Sequence, residues 1–320
     1  SGTTCIADMY MNTETIAQTV LDAGISANLS CGAVYFGDPA DFSPEKCGDC
    51  ANHVRLYENW HNAGDGQILV DASIHAEYTS CPPAWEWVAG FAQKHGLGMH
   101  VHISETRSEH EKCLEKYGRT PISLLDQYGV WENGGHAAHC VWVSGKDMEL
   151  MARKNITAVH NPVSNLKLAS GVARVPELLK AGVNVALGTD GVASNNSHDL
   201  FEEIKLAAIL HKGTTGDPTA VSAFQALSMA TVNGARTLGR DAGVIAPGKV
   251  ADLILVDFTS KNLFPCHDVL ENLVYSANGS NVVMNMARGN IIYEKGEFLT
   301  LDLEKIRDQV KNYALPHIFG

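Results

Sequence analysis

The sequence predicts an α/β fold closed into a parallel barrel, and three observations carry that expectation. Short apolar runs alternate with longer helix-period segments from Thr3 to about residue 190. A chemically capable side chain stands at one strand end after another. No GxGxxG or GxxxxGK[ST] phosphate loop occurs. Alternation of this kind predicts parallel strands joined by helical crossovers. A doubly wound sheet gathers functional groups only near its switch point, usually beside such a loop, whereas a (β/α)8 barrel brings the carboxyl ends of all its strands to one mouth.

Taken in order, strands are expected at residues 3–7, 27–34, 68–73, 98–103, 135–141, 158–161 and 183–188, which makes seven. Helices are expected at 13–23, 85–94, 124–128, 146–154 and 175–181, then from 200 to 210 and from 220 to 238. Beyond Gly239 the texture changes. Apolar pieces at 251–256, 282–284 and 291–293 sit among Gly and Asn turns and read as a small β appendage, closed by an amphipathic helix at 303–313. The expected division is a barrel over residues 1–240 and the appendage over 241–320.

Composition narrows the function class. The 320 residues carry 24 Lys+Arg against 36 Asp+Glu, a net charge of −12, which argues against nucleic acid or an anionic membrane as the main partner. A small-molecule substrate is the expectation. With 45% hydrophobic and 19% charged residues the chain can bury a large core. No run approaches the roughly 20 apolar residues of a spanning helix, and Ser1 opens directly into polar sequence rather than a basic-then-apolar run. The eight cysteines follow no repeating interval, which suits reduced thiols in a cytoplasm. Cys47-Gly-Asp-Cys50 is the one CxxC; with no second pair, and a loop-like segment before it, it reads as two ordinary thiols.

Four segments carry chemistry. In His100-Val101-His102-Ile103-Ser104-Glu105 the two histidines share one face of a strand, and Glu105 lies just past its end. Neutral imidazole is a good zinc ligand and a non-ligating glutamate can move protons, although a merely polar strand face reads the same. Asp190, in Gly188-Thr189-Asp190-Gly191, ends an apolar strand and could approach a metal or water, or simply form a turn. His139 lies inside an apolar strand, where a satisfied core histidine is the alternative. His160-Asn161-Pro162 is expected to break a strand into a polar loop.

As a set, HVHISET, AAHCV, HNPVSNLKL and GTDGVASNN resemble the amidohydrolase superfamily, in its mononuclear-metal deaminase and chlorohydrolase branch, and most closely its S-adenosylhomocysteine/5′-methylthioadenosine deaminase group. The resemblance runs from about Thr3 to Val256. It implies a TIM-type barrel, with His102 and Asp190 as metal ligands, Glu105 as proton shuttle, and His139 and Asp190 orienting water. His75, Asn161 and Ser194 would meet the substrate, an adenosine-type nucleoside or another aminated heterocycle. Zinc, or iron or nickel in its place, would be the cofactor, and a homo-oligomer the assembly.

Departures from the family pattern set further expectations. The family's first HxH motif has no counterpart, and the strand at residues 3–7 looks like the family's second, so the barrel is expected to lack its first strand and the appendage part of its sheet. Only two carried-over metal ligands remain, against the three usual for catalytic zinc, so low metal occupancy and impaired deamination are expected. The arginines that clamp a carboxylate-bearing substrate would be replaced near Cys31 and Cys47–Cys50, leaving Arg55 as the one nearby candidate. Glu77 stands where the family usually has proline. Two alternatives stay open: a chlorohydrolase or other amidohydrolase acting on a ring C–N or C–Cl bond, and an inactive barrel remnant with a structural role.

Overall fold

The computed structural model describes residues 1–320. All seven expected strands form, and all are parallel: β1 (Cys5–Met9), β2 (Ser26–Ser30), a third run interrupted at Asp71 into β3 (Ile68–Val70) and β4 (Ala72–Ser73), β5 (Met99–Ile103), β6 (Gly135–His139), β7 (Ile156–His160) and β8 (Val185–Leu187). β3 pairs with β2 and β4 pairs with β5. Asp71 is the joint: its N–H bonds Leu29 O, while the next N–H, of Ala72, bonds Gly98 O. The result is a curved parallel sheet running from β1 to β8, in which β1 pairs only with β2 and β8 only with β7.

From β2 to β8 the strands are mostly buried because both faces are covered, with polar side chains such as Asn28 and His100 among the apolar ones. Helices Thr13–Ala23, Pro82–His95 and Gly145–Arg153 pack outside, presenting Ala17 and Val20, Trp85 and Val88, and Met148 and Met151 to the sheet. One apolar cluster of 49 buried residues runs from Ala17 to Val282.

Four local expectations are corrected. Asn161-Pro162 does not open a loop: Pro162 starts the helix Pro162–Lys167, a position where its missing N–H costs nothing. The helix expected over 220–238 is two, Ala223–Ala230 and Val232–Thr237, broken at Thr231 (φ −123°, ψ −98°) where the Gly243 backbone crowds Val232. Helices Gly48–Trp60 and Arg107–Tyr117 were not expected at all. The C-terminal helix begins at Leu303 but widens at Val310–Ala314 and continues to Phe319.

The appendage is a four-stranded antiparallel sheet: β9 (Leu253–Val256), β10 (Val282–Ala287), β11 (Asn290–Glu294) and β12 (Glu297–Phe298), in the order β12-β11-β10-β9. Asn285 Nδ2 of β10 donates to Thr3 O just before β1, and Ser1 Oγ donates to His198 O. No helix is long and apolar enough to cross a membrane.

Candidate active site

The carboxyl ends of β4 to β8 bring the expected residues together. The rings of His75 and His102 lie 4.8 Å apart and those of His102 and His139 5.5 Å apart. His139 Nε2 stands 3.8 Å from Glu105 Oε2. Backbone strain collects at the same place: Ser104, His139, Cys140 and Asp190 all hold φ between 47° and 72°. Each such non-glycine residue costs on the order of 1–2 kcal/mol, a cost that persists where the surrounding fold imposes it and that clusters at functional sites.

Hydrogen bonds fix which imidazole nitrogen is bare. His102 Nδ1 lies 2.9 Å from the His75 carbonyl, which can only accept, so Nδ1 carries the proton. His75 Nδ1 meets Thr79 Oγ1 at 3.1 Å, and the Thr79 hydroxyl donates to Ala76 O, so here too Nδ1 is the donor. His139 Nδ1 lies 2.8 Å from Asn165 Oδ1. All three rings are thereby left with Nε2 unprotonated when neutral. Burial, then neighbouring histidines, pushes His102 down to about 4, and burial also lowers His75, so both are neutral at pH 7.

The carboxylates are held as firmly. Ser164 Oγ donates to Asp190 Oδ2 and the Gly191 N–H to Asp190 Oδ1, both at 2.6 Å. Ser170 Oγ donates to Glu105 Oε1 at 3.2 Å, which leaves Oε2 toward His139. Glu109 accepts from the N–H groups of Ser104 (2.6 Å) and Glu105 (2.8 Å), setting the turn from which Glu105 projects. Glu77 is buried against Glu109. Burial raises both carboxyls; the Glu109 charge raises Glu77 further, while at Glu109 burial outweighs the backbone N–H groups that hold it down and the Glu105 charge adds to the rise, so the pair keeps a proton near neutrality.

The remaining expected residues fall as follows. Asn161, 4% exposed, stands at the N-cap position of the helix Pro162–Lys167 without a side-chain cap bond, its Nδ2 3.4 Å from His139 Nδ1. A side chain on Gly188 would collide with the Asn161 carboxamide, so the strand end needs glycine there. Ser194 is half-buried in the short helix Val192–Asn195, while its neighbour Asn195 is the anchored residue, bonded to Thr189 O and Glu203. Arg55 lies on the exposed face of its helix; His53, on the inner face, meets Cys31 Sγ at 2.9 Å. Cys47 and Cys50 are buried free thiols at the start of that helix.

Ser164, Ser170, Glu109 and Asn165 support the site without having been singled out in the sequence. Ser164 and Asn165 fall within the string HNPVSNLKL, and Thr106 and Glu109 form a capping box, readable as T-x-x-E ahead of a helix; Ser170 left no signal.

Residues 1–292 match the amidohydrolase family. The chain belongs to that family. It is 45% identical over 312 residues to a 5-methylthioadenosine/S-adenosylhomocysteine deaminase of Moorella thermoacetica, covering 97% of this chain and 72% of the relative. It is 42% identical over 315 residues to a 5′-deoxyadenosine deaminase of Methanosarcina acetivorans, covering 98% and 72%. Among solved structures, a zinc-bound adenosine deaminase from Xanthomonas campestris superposes with a TM-score of 0.90 at 32% identity, over 98% of this chain and 71% of that one. A zinc-bound atrazine chlorohydrolase of Arthrobacter aurescens shares the fold, with a TM-score of 0.86 at 23% identity over 97% and 72%.

In this amidohydrolase the residues present fit part of a metal ligand set. His102 suits the role because Nδ1 is tied to a carbonyl and Nε2 is bare, the arrangement typical of ligating histidines. Asp190 is the matching carboxylate. No group of three His, Cys, Asp or Glu side chains is arranged to surround an ion.

Proposed function

We propose that the chain is a zinc-dependent hydrolytic deaminase of adenosine-type nucleosides, the 5′-methylthioadenosine and S-adenosylhomocysteine class. The observation that carries this reading is the convergence of His102, Glu105, His139 and Asp190 at one mouth, each held by a second partner. Relatives with 42–45% identity bearing deaminase names support the substrate class.

His102 and Asp190 would hold the zinc, which when bound supplies Lewis acidity that brings water within reach of ionisation near pH 7. Glu105 Oε2, free of the Ser170 hydroxyl, takes a proton from the attacking water and delivers it to the ring nitrogen beside the amine-bearing carbon. Water oxygen bonds to that carbon; Glu105 then takes the remaining hydroxyl proton and passes it to the amine nitrogen, so that the C–N bond breaks, ammonia leaves and a ring C=O forms. His139 Nε2 and Asp190 orient the water, and His75, Asn161 and Ser194 would meet the substrate.

Two protein donors hold zinc less tightly than three, so we propose sub-stoichiometric zinc and slow turnover for this chain. The edges of β1 and β8, each with one partner, fit a barrel short of one strand, and they suit association of copies in a cytoplasmic homo-oligomer. Ammonia release is to be measured with 5′-methylthioadenosine, S-adenosylhomocysteine, 5′-deoxyadenosine and adenosine, with zinc added, alongside chloride release from a chlorotriazine. Ammonia from at least one nucleoside supports the reading; chloride release alone would replace it with the chlorohydrolase reading. Inertness toward all substrates at saturating zinc would leave the structural one.

A further inference from the structure

We propose that Asn165 is a positioning residue: it fixes the proton on His139 Nδ1 and so presents His139 Nε2, as a lone pair, to a hydrogen of the attacking water. The catalytic half of this inference rests on the deaminase reading above; the tautomer does not.

His139 is 2% exposed and leaves β6 through two left-handed residues, itself at φ 72° and Cys140 at φ 51°, so its ring has a fixed exit from the sheet. Nδ1 has two amide neighbours of opposite kind, Asn165 Oδ1 at 2.8 Å and Asn161 Nδ2 at 3.4 Å. One ring nitrogen cannot donate and accept at once. The shorter contact is of ordinary strength and the longer lies beyond the usual N–H range, so Nδ1 donates to Asn165. Rotating the Asn165 carboxamide would aim two NH2 groups at one ring nitrogen and strand its oxygen instead.

Asn165 is itself immobile. Its N–H bonds Asn161 O at 2.9 Å and its carbonyl accepts the Ser170 N–H at 2.8 Å, so the backbone that holds the lock also holds the serine bonded to Glu105. The residue is 1% exposed and its Nδ2 has no partner. A buried, unsatisfied NH2 is a penalty that packing alone would avoid, since leucine fills the same volume without it. What the carboxamide supplies and leucine cannot is the acceptor for Nδ1–H. The consequence falls on the other side of the ring, where the 3.8 Å between Nε2 and Glu105 Oε2 is too long for a direct bond. Two acceptors facing each other at that spacing can share the hydrogens of one water.

The test is the imidazole 15N spectrum of the whole chain with labelled histidine at mildly alkaline pH, the His139 signals being identified by their loss in His139→Gln. Expected is a protonated Nδ1 with a bare Nε2 in the native protein, a shift of the proton toward Nε2 in Asn165→Leu, and retention of the native pattern in Asn165→Asp, which keeps an acceptor. Turnover should follow: kcat falls about 10–100-fold in Asn165→Leu with KM little changed, and Asn165→Asp recovers much of it. If Asn165→Leu fails to fold, Asn165→Ser, too short to reach the ring, takes its place. A native spectrum with the proton on Nε2, or a folded Asn165→Leu or Asn165→Ser whose spectrum matches the native one, overturns the proposal. The absence of ammonia from every nucleoside, with the spectra as expected, overturns the deaminase reading and leaves the tautomer lock standing.

Discussion

The two ends of the curved sheet differ in what they contribute. From β4 to β8 the ladders are unbroken, and every side chain of the candidate site comes from that part. The β1–β3 part supplies none of them. β1 is only half-buried along its length. β2 and β3 are instead held by a clasp from beyond the last barrel helix: Arg240 donates to Ala27 O (2.7 Å), Gly66 O (2.6 Å), Gln67 O and Asn28 Oδ1. Asn28 in turn donates to Asp71, the joint between the two parts. One part of the sheet thus carries the candidate site and the other is tied on by an arginine from outside the ladders. Damage to the first should cost rate before stability, and damage to the second stability before rate.

Glu105→Gln tests the first half of that statement with the largest expected effect. Ammonia release should fall about 10³-fold while the melting temperature stays within a few degrees, because the amide keeps the Ser170 contact but cannot carry the proton. A loss of stability as large as the loss of rate would erase the contrast. Arg240→Ala tests the second half. Four carbonyl and carboxamide acceptors lose a charged donor, so unfolding free energy should drop by about 3 kcal/mol in denaturant titrations. Residual turnover of the folded fraction should be near native.

Gly188→Ala sharpens the boundary between the two behaviours. The added methyl meets the Asn161 carboxamide and Val159, so we expect about 1–2 kcal/mol of destabilisation together with a reduced kcat. Stability loss alone would place Asn161 outside the chemistry. The smallest effect is a pH dependence. The carboxyls of Glu77 and Glu109 are raised in the folded state, so the native protein binds a proton that the unfolded chain releases. Stability is therefore lost as pH rises from the ordinary carboxylate range toward about 8. Glu77→Gln should flatten the fall in melting temperature between pH 5.5 and 8. An unchanged slope would show that the pair holds no extra proton.

Much of the frame was legible because its signals are local. Short apolar runs alternating with helix-period segments gave all seven strands, and the helix Thr13–Ala23 matched its expected bounds at both ends. The helices that escaped notice hide their buried faces. Gly48–Trp60 turns Cys50, His53 and Leu56 inward, and Arg107–Tyr117 buries only Glu109 and Cys113, so neither shows an apolar stripe. At Asn161-Pro162 a breaker signal was read as a loop when the same proline begins a helix. The site shows the same division. His102, Glu105, His139 and Asp190 sit at strand ends within recognisable strings; Ser164 and Asn165 lie within HNPVSNLKL, but which partners they meet 26 residues away is not written there, and Ser170, 65 residues from Glu105, left no pattern of its own.

The sequence by itself determined the parallel α/β architecture, the family and the residues at the mouth, because strand periodicity and short motifs are properties of neighbouring residues. Only the tertiary structure decided which imidazole nitrogens are bare, which carboxylate oxygen is free, and how the β1–β3 part is held. Those outcomes depend on partners brought close by the crossovers: a carbonyl for His102, a carboxamide for His139, a serine for Glu105 and a distant arginine for β2. A proton's position is set by the acceptor that faces it, and no linear spacing records which acceptor that will be.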